Sequence, residues 1–134
     1  MEQSFTPFAR HRRQFVFAVL SALMNWAKLD IFQEPGNNGA VIARLSGKLS
    51  VETVAGFLQE MRRVASEKLV LDMGAVTFLD SAGVGGLVQL FVSRRGQSKR
   101  LHLANLTVQG TAVLQVAGLN RLLPIFATVE EASV

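Results

Sequence analysis

The sequence predicts an α/β fold built on a mixed, mostly parallel sheet. Two observations carry this. Short apolar runs alternate with stretches of helical periodicity in the order β-β-α-β-α-β-α-β-α, and the first two runs are joined by a pentapeptide of turn formers. Strands separated by helices of this length imply right-handed crossovers and parallel pairing, with an antiparallel hairpin at the start. A length of 134 residues bounds the chain to one domain with a short appendage. At 49% apolar and 18% charged it has enough hydrophobic mass for a packed core.

The appendage is residues 1–28. Arg10-His11-Arg12-Arg13 precedes an apolar stretch from Phe15 to Met24. Basic residues ahead of about ten apolar ones resemble the first regions of a signal peptide, but no A-x-A-like cleavage site follows cleanly. The stretch is also short of the roughly 20 residues that a membrane span needs. A helix fits better. Gln14, Ala18, Ser21, Asn25 and Lys28 recur at spacings of three and four and make one narrow polar stripe. Phe15, Val16, Val19, Leu20, Leu23, Trp26 and Ala27 cover the rest. Such a helix must bury a wide face, on its own domain, on a second copy of the chain or on a membrane surface. Met24 is an alternative natural start.

The body, residues 29–134, reads in order. Asp30 to Glu34 and Ala40 to Leu45 are strands around the turn Pro35-Gly36-Asn37-Asn38-Gly39. Ser46 to Leu49 leaves the second strand, and Ser50 is placed to cap a helix with Glu52 in its first turn. Val54, Phe57, Leu58, Met61, Val64 and Ala65 give that helix its apolar stripe. Leu69 to Met73 is a strand, Gly74 a turn, and Val76 to Leu79 a second short apolar run. Asp80-Ser81 starts a helix whose buried stripe is Val84, Leu87, Val88 and Phe91, and whose end is Arg94-Arg95-Gly96. Leu101 to Ala104 is a strand with His102 facing outward. A helix over 108–117 is stopped by Gly118; Ile125-Phe126 is a brief strand; Thr128-x-x-Glu131 is a capping box opening a last helix.

The chemistry-bearing patterns are mostly missing. There is no cysteine, hence no disulfide, thiolate ligand or cysteine nucleophile. Gly83-Val84-Gly85-Gly86 has the placing of a dinucleotide fingerprint, but Val88 stands where the third small residue belongs. G-x-x-x-x-G-K and G-x-S-x-G are absent. His11 and His102 have no second ligand at metal spacing, and no cofactor is implied. Asp72 and Asp80 invite comparison with a carboxylate pair, but Asp80 explains itself as a helix cap. The formal charge of +4 is divided equally between residues 1–30 and the rest, which is thin ground for a nucleic-acid partner. The expectation is a protein without catalytic activity.

One segment stands out. Phe78-Leu79-Asp80-Ser81-Ala82-Gly83-Val84-Gly85-Gly86-Leu87 puts three glycines into the first two turns of a helix, each costing about 0.5–1 kcal/mol relative to alanine. Either the helix packs closely on the sheet, or its start lets another macromolecule approach the backbone and presents Ser81 to it. Phosphorylation of Ser81 would add about −1.5 to −2 charge at a helix N-terminus, where the fold tolerates an anion and a docked partner does not.

Leu69 to Gly83, with its Asp80-Ser81-Ala82-Gly83 step, resembles the core of STAS domains, the family of sulfate transporter and anti-sigma factor antagonist domains. Leu45-Ser46-Gly47-Lys48-Leu49 resembles that family's second-strand exit, and Val116 to Phe126 its ending. The resemblance covers about residues 29–134. It implies helices mainly on one side of the sheet and a non-enzymatic role. Stand-alone members resemble antagonists that bind an anti-sigma factor, itself a serine kinase, and so release a sigma factor in the cytoplasm. Phosphorylation frees the kinase and a phosphatase resets the system. Carried over, the acceptor is Ser81, and the partner-binding residues are Ser50, Asp80, Ala82, Gly83, Gly85 and Gly86. Ser50 stands where many members are acidic, which removes a charge near the switch. The alternative is a STAS subunit of a signalling scaffold or membrane-associated transport complex, favoured by the apolar residues 15–27.

Overall fold

In the computed structural model, residues 28–134 are described, together with Val16. The helix expected over residues 14–28 therefore lies outside the described residues. The body contains strands β1 (Leu29–Pro35), β2 (Val41–Leu49), β3 (Lys68–Leu79), β4 (Arg100–Ala104) and β5 (Ile125–Phe126). Its helices are α1 (Val54–Met61), α2 (Ser81–Gly96), α3 (Val108–Val116) and α4 (Val129–Ser133). The element order is the expected one.

The five strands lie side by side in the order β1-β2-β3-β4-β5. β1 and β2 are antiparallel, and every later pair is parallel. The hairpin turns through Asn38 and Gly39, both at positive φ, which asparagine and glycine accept most readily. Right-handed crossovers between successive neighbours put α1, α2 and α3 on one face. That face holds the main core, with Leu45, Leu49, Phe57, Met61, Leu69, Leu71, Met73, Leu87, Leu90, Leu103 and Leu114 all fully buried. The opposite face has a smaller cluster of Ile42, Val70, Ala104, Val129 and Ala132, covered by α4.

Several local expectations are corrected. Gly74 is not a turn; β3 runs through it. The irregularity is absorbed as a bulge, since Arg44 pairs with Asp72 and Ser46 with Ala75, two steps on β2 against three on β3. A second bulge follows between Gly47 and Lys48. Gly74 lacks a side chain because a Cβ there would stand 2.2 Å from the Asn105 amide nitrogen. Ser46 to Leu49 stays within β2. His102 faces the α4 side, its Nδ1 2.8 Å from the Ala132 carbonyl and its ring against Phe126. Arg94 reads in the sequence only as a cation at a helix end. It is buried, and its guanidinium donates to the carbonyls of Val64, Ser66 and Arg100.

β3 outruns β4, whose last pairing is Asp72 with Ala104. At the far end of β3, the Gln109 side chain from α3 accepts from the Leu79 N–H at 3.2 Å and donates to the Leu79 carbonyl at 3.0 Å. Leu79 directly precedes Asp80, the cap of α2.

Candidate functional site

The start of α2 lies at the edge of the sheet where the parallel strands end. Asp80 is extended, with φ −104° and ψ −176°, and its Oδ1 accepts the Gly83 N–H at 2.8 Å. This is the side-chain cap that the sequence promised. Its Oδ2 accepts the Val51 N–H at 3.1 Å, a contact no local pattern could reveal. The carboxylate thus joins the start of α2 to the loop before α1. Ser81 is the first residue of α2 and is exposed, and no acidic residue shares its first turn.

The glycines divide by role. Gly83 is buried, and a Cβ there would stand 2.1 Å from the Leu49 carbonyl oxygen. Gly86 is buried, and its Cβ would stand 2.3 Å from Val54 Cγ2. Both are small because α2 sits tightly on β2 and α1. This corrects the expectation that all three glycines face a partner. Gly85 alone is exposed, with nothing within 4 Å of a Cβ. Ala82 is half-buried.

Ser50 also departs from expectation. It is only 2% exposed, and its hydroxyl donates to Glu52 Oε1 rather than capping a helix. α1 begins later, at Val54; Thr53 Oγ1 accepts the Ser50 N–H and donates to the Lys48 carbonyl. A buried residue cannot itself present a surface to a partner. Its neighbour Val51 does, at 65% exposure.

Between α2 and α3 runs a shallow, mostly apolar groove of about 420 Å³, bordered by Leu79, Val84, Ala112, Val113, Val116 and Ala117, with Asp80 and Ser81 at one end. Val108, Ala112 and Val116 recur every four residues on the exposed side of α3, and Val108 and Val116 are about nine-tenths exposed. The sequence carries a signal for this that its periodicity hides. No residue from Leu103 to Asn120 is charged. An uncharged helix that shows valines to solvent is the kind of surface on which a partner can dock.

The carboxylates Asp72 and Asp80 share no hydrogen-bond partner. Asp72 pairs with Arg44 on the α4 side and accepts from Gly74 N and Asn105 Nδ2. Among the described residues no group of three or more His, Cys, Asp or Glu could hold a metal ion, and no helix is long and apolar enough to cross a membrane.

The model of the STAS domain family matches residues 32–132. Among solved structures, the chain is similar to an anti-sigma factor antagonist from Mycobacterium paratuberculosis, at 21% identity and TM-score 0.71, covering 79% of this chain and 92% of that one. It is similar to the anti-sigma factor antagonist SpoIIAA in its unphosphorylated form, at 25% identity and TM-score 0.61, covering 77% and 92%. It is also similar to the phosphorylated form of SpoIIAA, a Bacillus cell fate determinant, at 24% identity and TM-score 0.61, covering 77% and 96%. With a family match over most of its length, and a sheet and helix order of the kind that the match implies, the chain belongs to the STAS domain family.

Proposed function

We propose that the protein is an anti-sigma factor antagonist in a partner-switching system. It docks on an anti-sigma factor that is also a serine kinase, and phosphorylation at Ser81 releases it; a phosphatase resets it. The observation that carries this reading is the setting of Ser81, an exposed hydroxyl on the first residue of α2 at the rim of a mostly apolar groove. The similarity to SpoIIAA, known in unphosphorylated and phosphorylated forms, supports it.

The first turn of a helix has N–H groups with no intrahelical acceptor, and the helix dipole favours an anion there. A phosphate on Ser81 therefore costs the fold little. A partner seated over Val51 and the groove would have to desolvate about two negative charges against apolar side chains, which it cannot compensate. The docking surface comprises Ser81, Gly85, Val51 and the groove wall, with Ala82 at its margin. Asp80 holds the surface in shape from within, and Ser50, Gly83 and Gly86 set its backbone from below.

Incubation with the cognate kinase and ATP adds one phosphate at Ser81, and Ser81→Ala abolishes the addition while retaining binding. Ser81→Glu weakens binding by at least about tenfold, ~1.4 kcal/mol. Wild-type protein that stays unmodified, together with Ser81→Glu binding as tightly as wild type, refutes the switch.

A further inference from the structure

We propose that the end of the domain opposite Ser81 is a docking surface for an anionic lipid membrane. Charge in the body is sorted by position. Residues 62–68 and 94–100 carry seven cations and one acid, Glu67, whereas the rest of residues 28–134 carry four cations and eight acids. The two stretches are neighbours in space. The first leads from α1 into β3, and the second from the last turn of α2 into β4. The Arg100 N–H donates to the Glu67 carbonyl at 2.7 Å, and the buried Arg94 guanidinium holds the carbonyls of Val64, Ser66 and Arg100. Lys68 is buried like Arg94, but Arg62, Arg63, Arg95 and Arg100 are exposed and Lys99 is half-buried. Among the described residues only one of these five, Arg100, reaches a carboxylate, that of Glu67 at 3.5 Å.

Helix ends do not account for this excess. α1 and α2 both arrive by their C-termini, whose dipoles together amount to about one negative charge. The remaining cations repel one another, and an external polyanion relieves that repulsion. Arginine forks match phosphate oxygens. Neither stretch contains an aromatic residue on which a base could stack, and neither offers a helix N-terminus, features that nucleic-acid sites draw on. A lipid surface needs neither, because its surface potential attracts clustered cations without a groove or a base contact. Val92, 58% exposed and one turn before Arg95 on α2, supplies an apolar side chain for the interfacial layer. β3 runs from Lys68 to Leu79, so this end lies about 35 Å from Asp80 and Ser81. A molecule docked by its basic end therefore points Ser81 away from the membrane. The docking does not depend on the kinase reading.

Co-sedimentation of the full chain with phosphatidylcholine vesicles, with and without about 30% phosphatidylglycerol, tests the surface. Binding is expected with the anionic vesicles alone, and it should fall steeply as salt rises from about 0.1 M to about 0.5 M. The double variants Arg62→Gln/Arg63→Gln and Arg95→Gln/Lys99→Gln should each weaken it about tenfold or more. Lys28→Gln/Arg121→Gln removes the same net charge from exposed positions elsewhere and should change it less than about twofold. Far-ultraviolet circular dichroism confirms that each variant is folded. The proposal is overturned if the full chain ignores the anionic vesicles, or if the first two variants bind them as wild type does. It is overturned too if Lys28→Gln/Arg121→Gln loses as much, which assigns binding to net charge or to residues 1–27. Tight binding to a short DNA duplex that the first two variants lose, with no binding to vesicles, assigns the surface to nucleic acid and sinks the proposal equally.

Discussion

The second oxygen of Asp80 accepts the Val51 N–H at 3.1 Å, so the cap of α2 and the loop that leads into α1 form one hydrogen-bonded unit. Asparagine offers one acceptor oxygen where aspartate offers two. Asp80→Asn must release either Gly83 or Val51 and should cost about 1 kcal/mol, while Asp80→Ala releases both and costs about 2. Urea unfolding measures the totals. Faster exchange of the Val51 amide in Asp80→Asn identifies the bond that is given up.

The glycines of α2 make a sharper contrast. Gly83→Ala drives a methyl group against the Leu49 backbone oxygen, which no rotamer change can relieve, and should destabilise by about 3 kcal/mol. Gly85→Ala meets open space at a helical position and should stabilise by up to about 1 kcal/mol. Equal effects of the two substitutions in thermal unfolding would contradict the close approach of α2 to β2.

Arg94 supplies donors to three carbonyls where the chain leaves α1 and enters β4. Arg94→Met keeps much of the apolar volume and removes every donor, for an expected loss of about 2–4 kcal/mol by urea unfolding. Arg94→Lys recovers only part of that, because an ammonium cannot reproduce the planar fork.

Burial holds the His102 imidazole below its ordinary value of 6.5; Lys68 and Arg100 push the same way, and the Ala132 carbonyl opposes them. The unfolded chain therefore binds the proton first as pH falls. Stability is undiminished above about 6.5 and declines as pH is lowered through the folded value. The melting temperature of wild type should fall over that window relative to His102→Gln, and parallel curves would remove His102 as the cause.

Much of the architecture was legible because it depends on neighbours in sequence. The hairpin follows from Pro35 to Gly39, the α2 cap from Asp80, and the last helix from Thr128, whose hydroxyl accepts the Glu131 N–H at 3.1 Å. What stayed hidden depends on residues about thirty positions apart. Gly74 reads as a turn because its reason, the Asn105 side chain, lies just past the end of β4. Gly83 and Gly86 fit either close packing or a partner surface in sequence, because Leu49 and Val54 reach them only once β2, α1 and α2 are packed. Arg94 follows a helix-end rule in sequence and a burial requirement in three dimensions. Ser81 was found because its position depends only on the cap beside it, whereas the groove at its rim needs α3 to be in place.

The amide of Gln109 has a lever-like consequence. It grips both backbone groups of Leu79, so α3 and the peptide ahead of Asp80 shift together. Whatever leans on Val116 leans also, through one carboxamide, on the chain that aims the Ser81 hydroxyl. Glutamate in place of Gln109 could not donate to the Leu79 carbonyl, and the linkage would slacken from that side alone.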